Sequence, residues 1–219
     1  MTGYAVKFES VVVAGGLDIQ IRSLLDRMQF SDPGDEALTL GISSAAWPLF
    51  GQLWPSARIL ADTMQSKELH GRRVLEIGCG LALPSLVVHR RGADITASDH
   101  HPMTQAFLLE NIRLNGLPPL AYRTGNWATP NPGLGKFDMV IGSDVLYERE
   151  QPDLLIAFID LHVSDHAEIM IVDPGRPHRG AFNRGMARRG FELDDVRVDC
   201  TQADGNAYRG RLLTYRRGY

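Results

Sequence analysis

Val74-Leu75-Glu76-Ile77-Gly78-Cys79-Gly80 is an apolar run that ends in a glycine turn, and Asp99 follows 19 residues after the last glycine. An apolar run of this length predicts a buried strand. Gly78 and Gly80 let the backbone turn sharply and let a ligand approach the main chain, while an acid at the end of the next strand can accept both hydroxyls of a ribose. The arrangement is that of a nucleotide-cofactor site.

A dinucleotide fingerprint wants a third glycine three residues after the second, so that helix and strand close around a pyrophosphate. Leu83 occupies that position. Glu76, two residues before the first glycine, is expected in the mouth of the site, where its charge would repel a pyrophosphate and suit a cation. S-adenosylmethionine carries an ammonium and a sulfonium and no phosphate. Charge therefore favours the methyl donor over NAD.

The 219 residues allow one α/β domain, expected as an N-terminal elaboration over 1–65 and a Rossmann-like core over 66–219. A formal charge of −3 gives no global basic field for nucleic acid. Arginines do gather in the last third, from Arg176 to Arg217, a distribution expected of solvated faces. Cys79 and Cys200 form neither a disulfide framework nor a zinc pattern. Val11-Val12-Val13 is too short for a signal-peptide core, and no stretch approaches the length of a membrane span. The expectation is a cytoplasmic protein with no membrane and no nucleic-acid partner.

Residues 4–22 read as a hairpin with a turn at Gly15-Gly16, Val6 and Phe8 alternating with polar residues, and Leu17, Ile19 and Ile21 on one face. Asp32-Pro33-Gly34-Asp35 is a turn, and Ala45 to Met64 is expected as a helix against the cofactor side. From residue 72 strands and helices alternate: strands 72–78, 93–98, 119–124, 137–143 and 167–172, helices 82–91, 102–115, 151–163 and 178–190. That rhythm predicts a doubly wound parallel sheet. Two further runs, 192–199 and 208–216, have no helix between them and can pair antiparallel.

In such a sheet the chemistry gathers just after each strand. The candidates for the cofactor are Glu76, Gly78, Cys79, Gly80 and Leu81 after the first core strand, Asp99 and His100 after the second, Asn126 and Trp127 after the third, and Ser143 after the fourth. Asn126 can hydrogen-bond an adenine edge while Trp127 covers its face, stacking worth about 1 to 3 kcal/mol. Asp144 and Tyr147 follow Ser143. His89, His100, His101 and Asp99 are not expected to converge on a metal, and there is no Gly-x-Ser-x-Gly elbow for a hydrolase.

At these residues the sequence resembles the class I, seven-β-strand methyltransferases, and within them methyltransferase family 16, which contains many protein lysine methyltransferases. The resemblance rests on the Glu-x-Gly-x-Gly turn (Glu76, Gly78, Gly80), the ribose acid Asp99, Trp127, and an Asp-x-x-Tyr motif at Asp144 and Tyr147. The hairpin and Trp54 in Trp-Pro-Ser-Ala also match. Asn126 departs from the family, whose members often carry aspartate there. The resemblance implies a seven-stranded sheet in the order 3-2-1-4-5-7-6 with strand 7 antiparallel, Trp54 as a further cofactor residue, S-adenosylmethionine as donor and S-adenosylhomocysteine as product.

It also implies lysine N-methylation of a protein, with a small-molecule amine methyltransferase or a non-catalytic donor-binding module as alternatives; oligomeric state is open. An unperturbed lysine with pKa near 10.4 costs about 4.6 kcal/mol to deprotonate at pH 7. Desolvation and the nearby sulfonium lower that pKa whereas a close carboxylate raises it, so Asp144 would orient the acceptor rather than act as a strong base. Tyr147 would form an aromatic wall beside the amine. A base methyltransferase usually carries Asn or Asp followed by Pro-Pro and an aromatic after the fourth strand, and Ser143-Asp144-Val145-Leu146 does not fit.

Overall fold

The computed structural model describes residues 3–149, 151–202 and 205–218. An N-terminal hairpin, β1 (Val6–Val11) and β2 (Ile19–Leu24), precedes a short helix α1 (Glu36–Thr39), a 3-10 turn over Trp47–Gly51, and α2 (Pro55–Ser66). The core alternates β3 (Arg73–Ile77), α3 (Leu83–Arg90), β4 (Asp94–Asp99), α4 (Thr104–Leu114), β5 (Ala121–Thr124), β6 (Phe137–Ser143), α5 (Gln151–His162), β7 (Val163–Asp173) and α6 (Arg179–Arg188). It closes with β8 (Glu192–Thr201) and β9 (Ala207–Arg217).

Seven strands form one sheet in the order β5-β4-β3-β6-β7-β9-β8. Strands β3 to β7 pair in parallel, and β9 runs antiparallel to both β7 and β8. Counted within the core, this is the expected 3-2-1-4-5-7-6. The central strands β3, β4 and β6 are buried along most of their length because helices cover both faces. Leu60, Leu86 and Phe107 from α2, α3 and α4 pack on one face, and Leu155, Ile159 and Phe182 from α5 and α6 on the other. The chain winds from β3 outward through β4 and β5, then crosses back to β6. That reversal leaves a crevice at the carboxyl ends of β3 and β6, where open α/β sheets bind ligands.

The hairpin pairs in a continuous register from Val6↔Leu24 to Val11↔Ile19. Ile19 and Ile21 are buried, whereas Leu17, expected on one face with them, is 75% exposed, and Phe8 is 61% exposed. The outer edge of β2 is satisfied by α4: Arg22 N–H donates to Asn111 Oδ1 at 2.7 Å and Gln20 N–H to Asn115 Oδ1 at 2.8 Å. Those bonds fix the hairpin to the core.

The helix expected over Ala45 to Met64 is two elements. Proline disfavours helical backbone in the residue before it, and Trp54 is accordingly extended (φ −76°, ψ 142°) ahead of Pro55. Pro55 itself opens α2, where its missing N–H costs nothing. The break turns Trp54 and the 3-10 segment toward the crevice. Strand β7 also starts earlier than expected, at Val163, directly after α5.

Candidate active site

A cavity of about 810 Å³ occupies the crevice. Trp54, Gly78, Cys79, Gly80, Leu81, Asp99, His100, Asn126, Trp127 and Ser143 line it, together with Asp144 and Tyr147. Every candidate from the sequence therefore faces one space, with a single exception.

That exception is Glu76. It does not stand in the mouth but is buried behind the glycine turn, where Oε2 accepts the backbone N–H of Ser85 at 2.9 Å and the Ser85 hydroxyl. Burial pushes its pKa up to about 8, with the Asp99 charge adding to the effect. A largely protonated Glu76 ties β3 to the first turn of α3 and presents no charge to a ligand. Glu76 therefore does not stand where it was expected to repel a pyrophosphate, and the negative charge on the cavity wall comes from Asp99, Asp144 and Glu148 instead.

The glycines are required by contact as well as conformation. Gly78 and Gly80 have φ of +56° and +50°, and a Cβ on Gly80 would lie 2.9 Å from the Phe50 carbonyl oxygen. A Cβ on Gly78 would meet Val145 at 3.0 Å and the Trp127 ring at 3.6 Å. Ala82 is also left-handed (φ +58°), so the turn enters α3 through three such residues.

Asp99 is buried at the end of β4, where Oδ2 accepts Gly80 N–H and Oδ1 accepts His101 N–H, each at 2.9 Å. It does not cap α4, whose N-cap is Met103. Each carboxylate oxygen keeps a second lone pair for a ribose hydroxyl. Asn126 Oδ1 accepts Ala128 N–H at 2.9 Å, which leaves its amide nitrogen as a donor to a base. Trp54 donates Nε1–H to Leu49 at 2.9 Å, and Arg27 lies over its ring at 4.7 Å. These residues fit an adenosyl ligand: a close-approach backbone, a ribose acceptor, an amide donor and aromatic walls.

Asp144 adopts a left-handed conformation, φ +55°, unusual for a residue with a side chain. Its N–H donates to Val172 at 2.9 Å, which keeps β6 tied to β7 at the kink. Arg176 grips the carboxylate bidentately, Nε to Oδ1 at 2.6 Å and Nη2 to Oδ2 at 2.8 Å. Tyr147 is 40% exposed at the mouth. Gln151 hydrogen-bonds Tyr147 and accepts Glu148 N–H at 3.1 Å, steadying the turn before α5.

Among the lining residues that the sequence did not assign to the site are His101, Phe50, Arg27 and Arg176. His101 stacks on Phe50 with centroids 3.9 Å apart, and burial drives its pKa down to about 3. Arg27 and Arg176 also face the cavity. Arg176 could have been found, because Asp173-Pro174-Gly175-Arg176 follows a parallel strand as the other candidates do. Phe50 and Arg27 carry no such signal, since they reach the crevice only through the Pro55 break and the hairpin's docking.

A family model described as lysine methyltransferase matches residues 42–180, which is more than half of the chain. The chain belongs to the lysine methyltransferase family. The methyltransferase is 28% identical to the electron transfer flavoprotein beta subunit lysine methyltransferase of Rattus norvegicus, over 94% of this chain and 80% of that one. It is also 28% identical to protein N-lysine methyltransferase METTL21A of Xenopus tropicalis, over 73% of this chain and 76% of the relative. Magnesium protoporphyrin IX methyltransferase of Synechocystis PCC 6803, solved with bound SAM, shares the fold at a TM-score of 0.60 and 18% identity, covering 87% of this chain and all of that one. The enzyme is an S-adenosylmethionine-dependent methyltransferase, and no helix among its described residues is long and apolar enough to cross a membrane.

Proposed function

We propose that the enzyme N-methylates a lysine side chain on a protein substrate, as a single domain in which residues 1–65 elaborate the core over 66–219. The observation that carries this reading is Tyr147, 40% exposed on the lining of a cavity that also carries Leu40 and Leu154, which are 43% and 38% exposed. A metabolite would favour a closed chamber, whereas a long side chain extended from a folded surface needs an open mouth with an apolar collar. The names of the curated relatives support the same acceptor class.

S-adenosylmethionine supplies a methyl group already activated by its positive sulfur, and S-adenosylhomocysteine leaves. The chain's own work is to hold and align, since orientation of two bound reactants can account for most of the acceleration. Gly78 and Gly80 admit the donor to the backbone, Asp99 fixes its ribose, and Asn126 with Trp127 fixes its base. Asp144 orients the acceptor nitrogen, and Tyr147 lines its path. The acceptor ammonium loses one proton to water before attack, its lone pair forms the N–C bond as the C–S bond breaks, and the methylated nitrogen leaves as an ammonium. Two unpaired cysteines, Cys79 and Cys200, suit a reducing compartment and support a cytoplasmic location.

The test is incubation with isotopically labelled S-adenosylmethionine and a cell extract, followed by mass spectrometry of modified proteins; purified electron transfer flavoprotein beta subunit is the first defined acceptor to try. Label on a lysine Nε of a protein is the expected result. Label confined to small molecules would replace the protein acceptor with a metabolite amine. Tight donor uptake with no transfer at all would make the chain a binding module.

A further inference from the structure

The Arg176 clamp raises a chemical question that the Asp-x-x-Tyr motif alone leaves open. A bare carboxylate beside an acceptor lysine would stabilise its ammonium form, which has no lone pair for attack. Arg176 stands in the loop between β7 and α6, and both of its bonds to Asp144 are short and bidentate. Such pairs are the strongest of the charge-assisted hydrogen bonds. Both residues line the cavity, and the Asp144 side chain is 9% exposed.

The surrounding charges complete a balance. Asp173, the last residue of β7, accepts N–H groups from Gly175 at 3.0 Å and Arg176 at 3.1 Å, and Arg179 of α6 lies 3.6 Å from its carboxylate. Asp144, Asp173, Arg176 and Arg179 therefore contribute two charges of each sign. Facing the pair from other elements are Tyr147 before α5 and Tyr208 of β9, whose hydroxyl is held by Ser56 at 3.0 Å, while the charges of Glu148 and Asp99 act on Tyr147 and line the same cavity.

We propose that Arg176 is a positioning residue that neutralises Asp144, so that the pocket accepts the deprotonated amine instead of trapping the ammonium. The inference rests on the amine-acceptor reading above. Asp144 keeps lone pairs on both oxygens with which to accept an N–H of a neutral amine, and Arg176 keeps that carboxylate turned in the required direction. The same positive charge, close to the reacting nitrogen, disfavours protonation there.

The test needs no identified protein substrate. Sinefungin, a donor analogue in which a carbon bearing an amine replaces the methyl-bearing sulfur, places a titratable nitrogen near the transfer point; S-adenosylhomocysteine is the neutral control at that point. Calorimetry gives the ratio of their affinities. Arg176→Gln leaves Asp144 unpaired, and we expect the preference for sinefungin to rise about fivefold or more at neutral pH. The pH at which sinefungin binding weakens should also move upward. Asp144→Asn leaves Arg176 unpaired and should shift the ratio in the opposite direction, while the double variant Asp144→Asn with Arg176→Gln should return it to the wild-type value.

A purely structural clamp would predict a double variant at least as impaired as either single one. An unchanged ratio in both single variants, or failure of the double variant to return, overturns the inference. If one single variant does not fold, the other still tests the sign. Wild-type protein that binds neither nucleoside would overturn the donor-site reading, and the inference with it.

Discussion

A methyl group added at Gly80 would lie 2.9 Å from the Phe50 carbonyl oxygen, and the residue's φ of +50° is already in the region that strains an L side chain. Backbone on both sides of the contact leaves nothing flexible to yield. Gly80→Ala should therefore weaken S-adenosylhomocysteine binding at least about tenfold, a change calorimetry resolves readily, with a loss of roughly 1 to 2 kcal/mol in stability from the backbone alone. Asp99 and Asp144 separate the two halves of the site. Asp144→Ala should abolish transfer while leaving donor affinity within severalfold, whereas Asp99→Ala should lose donor affinity first. Loss of affinity and transfer together at Asp144 would assign it to the donor. At this scale the sequence is legible where backbone geometry dictates the residue, as at Gly78 and Gly80. It misleads at Glu76, because no pattern along the chain tells a carboxylate that lines a cavity from one turned inward onto Ser85.

The order of elements is written in the alternation of apolar strands with longer periodic runs, and the antiparallel end of the sheet in the two runs 192–199 and 208–216, whose sequence has no helical pattern between them. What the pattern does not carry is docking. The hairpin's attachment depends on Asn111 of α4 and Asn115 just past its end, polar residues whose partners are backbone groups some 90 positions away, at Arg22 and Gln20. Asn111 is buried. Asn111→Ala should strand the Arg22 N–H and cost about 1 to 3 kcal/mol in denaturant unfolding. Faster amide exchange confined to β1 and β2 would show that the hairpin loosens as a unit. Equal loosening across the seven-stranded sheet would contradict that division. The Pro55 break is the complementary case, since Trp54-Pro55 is visible in the sequence, yet helical spacing after it suggests continuity until the residue before proline is considered.

Two buried titratable groups set opposing slopes on the stability of the whole molecule. Burial raises Glu76 from an ordinary 4.5 to about 8, so the folded chain holds a proton that the unfolded chain releases. Its contribution is full below pH 4.5 and is lost as the pH rises toward 8. His101 is the mirror image, because burial against Phe50 lowers it from 6.5 to about 3. The unfolded chain then binds the extra proton, so the His101 contribution is full above pH 6.5 and is lost as the pH falls toward 3. Between these limits the slopes oppose each other, and thermal stability should be greatest in mildly acidic solution. Glu76→Gln can still receive the Ser85 N–H and keeps the shape of the side chain, but it cannot ionise. We expect wild-type protein to lose at least about 3 °C in Tm between pH 6.5 and 8, and Glu76→Gln to lose much less over the same interval. Between pH 4.5 and 6.5 the variant, left with the His101 slope alone, should lose stability as the pH falls while wild type holds level, and below pH 4.5 the two profiles should run parallel. Parallel Tm profiles for the two proteins above pH 6.5 would show that Glu76 is already ionised in the fold, and would return its charge to the donor site.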